Sequence, residues 1–106
     1  MILVTTETVS GDTVTETLGI VIGNTIRARQ IGKDIRAALR SIVGGEIKEY
    51  TGMLSESREQ SIQRMKERAK ELGADGIVGV RFQTSMIIQS TAELLVYGTA
   101  VKLSKI

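Results

Sequence analysis

Leu18-Gly19-Ile20-Val21-Ile22-Gly23 is the apolar centre of a longer run, Val14 to Arg29, that is rich in Val, Ile and Thr. β-Branched side chains are stiff at χ1 and fit a pleated surface better than a helix, so the run is expected to be a strand. Its centre carries no polar alternation, which suits a strand covered on both faces. Gly19 and Gly23 interrupt it, and glycine inside a strand marks a bulge or the close approach of another backbone. Their spacing of four has no membrane meaning, because the small-residue rule applies to apolar helices.

Working outward, Ile2 to Thr6 is a short apolar segment expected to form a first strand, and Ser10-Gly11-Asp12-Thr13 is a turn signal. Beyond the central run, Lys33 to Val43 is expected to be helical, with Ile35, Ala38, Leu39 and Ile42 on one stripe and Gly44-Gly45 as its stop. From Ile47 to Leu72 a helical period persists for about seven turns, placing Ile47, Tyr50, Leu54, Ser61, Met65, Ala69 and Leu72 on or near one face. Gly52 weakens that helix by about 1 kcal/mol relative to Ala. A break near residues 52 to 55 would let Ser57 and Gln60 form a capping box for a shorter helix. Gly73 is placed to end the helix, since it reaches the left-handed conformation without strain.

Gly76 to Ile88 is expected to be a third strand with Val78, Val80 and Phe82 on one face; Gln89-Ser90-Thr91 turns it into a fourth, Glu93 to Leu103. The order β-β-α-α-β-β defines an α+β class, an antiparallel-rich sheet packed by two helices, as a single domain over residues 1–106.

Composition excludes much chemistry. The chain has no Cys, hence no disulfide, thiolate ligand or thiol nucleophile, and no His, the commonest general base near neutral pH. Ser-His-Asp and Cys-His arrangements are therefore excluded. Tyr50, Phe82 and Tyr97 are the only aromatic residues, and the net charge is +2, so neither stacking platforms nor a concentrated basic surface for nucleic acid is expected. No apolar run approaches the roughly 18 residues of a membrane span. Met1 to Thr6 lacks the basic and apolar regions of a signal peptide, which makes a cytosolic protein the expectation.

Leu18 to Thr25, Gly44-Gly45-Glu46-Ile47-Lys48-Glu49-Tyr50-Thr51, Leu72-Gly73-Ala74-Asp75-Gly76-Ile77-Val78-Gly79-Val80-Arg81-Phe82, and Glu93 followed by Tyr97-Gly98-Thr99-Ala100-Val101 together resemble the YbjQ or UPF0145 family. The resemblance runs through nearly the whole chain. It implies a YbjQ-like or dodecin-like α+β fold and a ring-shaped homo-oligomer of five subunits or stacked rings of five. It also brings a heavy-metal-binding label, but no settled activity.

Each candidate site has a functional and a structural reading. Soft metals prefer thiolate, thioether and imidazole ligands; here only Met1, Met53, Met65 and Met86 qualify, and Met65 sits on the apolar helix face. Glu46 and Glu49, at helical spacing, are the weak candidates for a hard divalent cation, the one cofactor the chain suggests, or else acidic groups favoured by a helix N-terminus. Lys33, Arg36 and Arg40, with Arg27 and Arg29 before them, form a basic stripe for a phosphate-bearing ligand or acidic partner, or simply a solvated face. Gly32-Lys33-Asp34 is no phosphate loop, because Arg27 stands where the earlier glycine is needed.

Arg81 inside an apolar strand, Glu93 and Arg58 are charges in apolar settings, which are usually paired. With Glu46, Tyr50 and Tyr97 they resemble the family's signature positions, as a polar pocket between subunits or as intersubunit salt bridges. No nucleophile–base spacing accompanies Glu93 or Tyr97, and no catalytic residue is assigned. The leading expectation is a non-enzymatic, self-associating structural or interaction protein whose partner is itself; the alternative is a metal- or small-anion-binding module with sites at subunit interfaces.

Overall fold

The computed structural model describes residues 1–28, 42–43, 46–88 and 91–106. In chain order the elements are β1 (Ile2–Leu3), β2 (Asp12–Ala28), β3 (Ile42–Val43), β4 (Glu46–Ile47), helix α1 (Lys48–Glu71), β5 (Gly76–Ile88) and β6 (Thr91–Lys105). One four-stranded sheet has the order β1-β5-β6-β2, and β3 pairs with β4 in a separate two-stranded ribbon. β6 is antiparallel to both long neighbours, whereas β1 runs parallel to β5. The antiparallel-rich α+β expectation therefore holds, with one parallel pair.

One element differs from the sequence-based expectation, and the alternative left open at Gly52 is settled. Ile42 and Val43 were expected to close a helix from Lys33, yet they are strand, opposite Ile47 and Glu46. Their branched side chains favour that pairing over a helical turn. The rest of that helix, like the Gln89-Ser90 turn, lies outside the described residues. The long helix also runs unbroken through Gly52, so Ser57 is a mid-helix residue rather than a cap. Gly52 is exposed and nothing lies within 4 Å of its missing side chain, so its penalty of about 1 kcal/mol is only the intrinsic one.

At its far end α1 closes on Gly73, with φ +78°. Gly73 N donates to the Lys70 carbonyl at 2.9 Å and Ala74 N to the Ala69 carbonyl at 3.0 Å, the paired bonds of a Schellman motif. The short link aims the chain directly into β5, whose outer edge then receives the N-terminal segment. Val4 N donates to the Ile77 carbonyl and Val80 N to the Val4 carbonyl, each at 3.0 Å.

The glycines of the central run divide the two roles between them. Gly19, at φ +121°, is the bulge, where the β2–β6 register shifts between Thr17 and Gly19. Gly23 is the close approach: a Cβ there would overlap the Ser61 carbonyl oxygen and stand 2.6 Å from Met65 N. The helix backbone thus lies directly on the strand backbone. Only small or flexible side chains can occupy that seam, and Ser57, Ser61, Met65 and Ala69, each one turn apart, are all buried there. Leu54 and Leu72, expected on the same face, are 41% and 47% exposed.

Val21, Met65, Ala69, Ile77, Val80, Val96 and Ala100 make up the core cluster. Its small aliphatic side chains are what the aromatic-poor composition requires. Val78 does not share the face of Val80 as simple alternation predicts. Gly79, at φ +62°, bulges the strand, so that Ile77 and Val80 enter the cluster while Val78 is buried outside it. Within the single chain β2 is covered on one face and open on the other. Val21 is 3% exposed, but its neighbour Ile20 is 76% exposed, because α1 covers one face only.

Gly23→Ala is expected to destabilise the fold by about 3 kcal/mol or more, since the obstacle is backbone that cannot move aside. Gly52→Ala is expected to stabilise it by about 0.5–1 kcal/mol. Urea denaturation of both variants checks the pair, and equal effects would contradict the close-approach assignment.

Candidate functional site

Because side chains alternate along a strand, the odd-numbered positions of β2 from Val21 to Thr25 face the helix and the even-numbered ones face away. The face that α1 leaves uncovered is assembled in rows across the sheet. Ile20 pairs with Thr99; Ile22 with Tyr97, and Tyr97 with Arg81; Asn24 with Leu95, and Leu95 with Gln83; Ile26 with Glu93, and Glu93 with Ser85. Ile20, Ile26, Ile22 and Tyr97 are 76%, 56%, 38% and 36% exposed. These apolar side chains lie on one face in nearby rows, with Asn24 and Glu93 between Ile22 and Ile26.

The face has a polar strip. Asn24 Nδ2 donates to the half-buried Glu93 carboxylate at 3.1 Å, which fixes both side chains. Arg81 reaches along the sheet edge and donates to the carbonyls of Thr5 at 2.7 Å and Val80 at 2.9 Å. Its guanidinium is exposed, so the buried charge expected at this position is not found in the single chain. Three candidates, Arg81, Glu93 and Tyr97, therefore share one face.

Arg58 belongs elsewhere. It is exposed on α1, donates to Ser55 Oγ at 3.1 Å, and lines a cleft of about 420 Å³ with Leu54, Phe82, Thr84 and Leu94. This cleft is on the helix side of the sheet, opposite the isoleucine patch. Phe82 borders it and is 48% exposed. Of the remaining candidates, Glu46 lies in β4 and Glu49 and Tyr50 in the first turn of α1; Glu46 and Glu49 therefore do not share a helix face. Lys33, Arg36, Arg40 and Arg29 lie outside the described residues, and Arg27 is opposite Ala92 near the end of β2.

Sequence reasoning missed the buried polar contact that fastens helix to sheet. Thr25 Oγ1 and Ser61 Oγ lie 2.8 Å apart, and their two protons are shared among that contact, the Ser57 carbonyl 3.2 Å from Thr25 and the Leu94 carbonyl 3.1 Å from Ser61. The signal was available in Ser57 and Ser61, two small polar residues one turn apart on the packing face. Arg64 and Arg68 were missed as well. Their guanidiniums donate at 2.6 Å to the carbonyls of Asn24 and Ile22 on the outer edge of β2.

A two-layer unit with one long helix on a mixed four-stranded sheet is the class this architecture defines. A crystal structure of a protein of unknown function from Pediococcus pentosaceus, assigned to the DUF74 family, has the same fold: TM-score 0.66 with 98% of each chain covered, at 18% identity. The chain matches the family model described as "Putative heavy-metal-binding" over residues 1–104. It is 54% identical to a UPF0145 protein of Pseudothermotoga lettingae over the full length of both chains. Another UPF0145 protein, from Methanosarcina acetivorans, is 54% identical with 97% of each chain covered. The chain belongs to the YbjQ, or UPF0145, family of uncharacterised proteins, and none of these matches is to a catalytic family.

The donor set does not fit the soft-metal label. The chain has no Cys and no His, and Met65 is fully buried in the core. Among the described residues no three Asp or Glu side chains are grouped to hold an ion. No helix among them is long and apolar enough to cross a membrane. Adding Cd²⁺ is accordingly expected to leave the melting temperature unchanged in a thermal-shift titration, whereas a saturable rise would show a site these residues do not account for. Ser61→Ala is expected to cost about 1–3 kcal/mol, and Arg58→Ala less than about 0.5 kcal/mol, in denaturant melts.

Proposed function

We propose that this chain is a cytosolic homo-oligomeric structural or interaction protein without a catalytic role, and that the uncovered sheet face is where copies meet. The observation that carries the reading is the isoleucine-rich patch on the back of β2, with Ile20 at 76% and Ile26 at 56% exposure. A strand with an unbroken apolar centre is stable in water only when both faces are covered, and the chain's own helix covers one.

A second apolar area supports a ring over a simple dimer. Leu54 and Phe82 are exposed at the cleft on the opposite layer of the subunit. One self-complementary patch makes a two-fold dimer, whereas two different patches on one subunit make a head-to-tail contact, which closes into a ring when the rotation permits. A pentamer or stacked pentamers, with no nucleic acid or membrane as partner, is the assembly we put forward. Glu46, Tyr50, Arg58, Arg81, Glu93 and Tyr97 are assigned to subunit interfaces. The absence of cysteine is compatible with a reducing compartment.

The cleft also favours a second reading, a small-anion module. Arg58 has apolar walls beside it and Ser55 Oγ as its hydrogen-bond partner, so an anion with a short apolar body suits it.

Native mass spectrometry of the wild-type chain at low micromolar concentration is expected to give a closed multiple of the subunit mass. Ile20→Asp is expected to reduce that multiple without altering the circular dichroism spectrum, since Ile20 is outside the core. A wild-type mass of one chain would sink the assembly reading, and a defined excess mass per subunit would favour the anion module.

A further inference from the structure

Among the described residues β2, 17 residues long, forms one edge of the sheet, and those of its residues that turn away from β6 would offer an extended chain a row of backbone groups. In an antiparallel pair each residue turns both its N–H and its carbonyl to the same side, and successive residues alternate. The carbonyls of Ile22 and Asn24 are taken by side chains from outside the sheet, so the even-numbered residues of this stretch turn away from β6. The edge at Ile20, Ile22, Asn24 and Ile26 is therefore the one exposed to strand addition.

α1 closes the middle of it. Arg64 and Arg68 are one turn apart, a rise of about 6 Å, while Asn24 and Ile22, two residues apart on a strand, are separated by about 6.8 Å. The two spacings nearly match and the elements run in opposite directions, so Arg64 meets Asn24 and Arg68 meets Ile22, both at 2.6 Å. Among the described residues neither guanidinium is ion-paired, and the ion pair on the sheet lies far from them, between Lys105 and Asp12. Both are exposed, so an incoming strand would have to break two charge-assisted hydrogen bonds and strip water from two cations. The opposite edge repeats the device: where the N-terminal segment stops covering β5, Arg81 caps the Thr5 and Val80 carbonyls.

We infer that Arg64 and Arg68 are edge guards: they hold the two carbonyls an added strand would need, and so turn strand addition away from the edge of β2. The inference does not depend on the assembly proposed above, because an edge can be guarded in a monomer or in a ring.

The test compares the full-length wild type with Arg64→Ala/Arg68→Ala and Arg64→Lys/Arg68→Lys. Light scattering is read across a concentration series, together with hydrogen exchange at the amides of Ile20, Ile22, Asn24 and Ile26. The alanine pair is expected to form species larger than the wild type, growing with concentration, in which those four amides exchange about tenfold more slowly. The lysine pair keeps a charge and a donor at each site and is expected to retain the wild-type size. Unchanged size and exchange in a folded alanine pair would overturn the inference, as would larger species in which these amides stay fast. If the alanine pair does not fold, a synthetic peptide copying residues 18–26 is added to the wild type instead. The guard predicts no protection of the edge amides, and protection at Ile22 and Asn24 would refute it.

Discussion

The contact on which the rest depends is backbone against backbone, α1 lying on β2 at Gly23. No side chain at position 23 could occupy the space held by the Ser61 carbonyl and Met65 N. Once that distance is set, the seam admits only the Ser57, Ser61, Met65 and Ala69 stripe, and Thr25 comes within hydrogen-bond reach of Ser61. Arg64 and Arg68, flanking the stripe, are then near enough to fold over the strand edge. A helix held farther away by larger side chains would bury more apolar surface but would leave those carbonyls out of reach. Close approach yields a small core and a guarded edge together.

The same geometry explains why one face of the sheet remains open. The helix follows the seam between β2 and β6, and the following strand returns on the far side of β6 through the tight Gly73 turn. No described element crosses to the other layer. Ile20, Ile22 and Ile26 therefore face outward beside Tyr97, and polarity enters only where Asn24 holds Glu93 and Arg81 turns to the edge. Fixed polar groups within an apolar patch contribute to orientation more than to affinity, since their hydrogen bonds must be kept whenever the patch is covered.

Strand positions, the Gly73 stop and the dual meaning of Gly19 and Gly23 were legible in the sequence, because each rests on a local rule of backbone conformation. What could not be read locally was which side of β2 the helix would take, and hence which residues of the apolar run it would leave open. Ile42 and Val43 were drawn into a helix by a spacing rule that their pairing with β4 overrode. Of the candidate site, the shared face of Arg81, Glu93 and Tyr97 follows from strand register, which a sequence without an obvious turn geometry leaves open. Arg64 and Arg68 resembled any solvated helix arginines, and only the matched spacing against β2 distinguishes them.

Energetics connect the open face to the guarded edge. Fully burying an isoleucine contributes about 1.5–3 kcal/mol, so three partly exposed isoleucines and a tyrosine supply several kcal/mol at most. Association of two bodies costs an estimated 4–15 kcal/mol in lost freedom. One such patch is thus marginal on its own, and in the ring proposed above the second apolar area at Leu54 and Phe82 would let every subunit make two contacts. An unguarded edge would compete with that arrangement, since main-chain pairing is indifferent to sequence and grows without closure. Blocking the edge with two arginines removes the open-ended competitor, while the isoleucine face remains available for a contact that closes on itself.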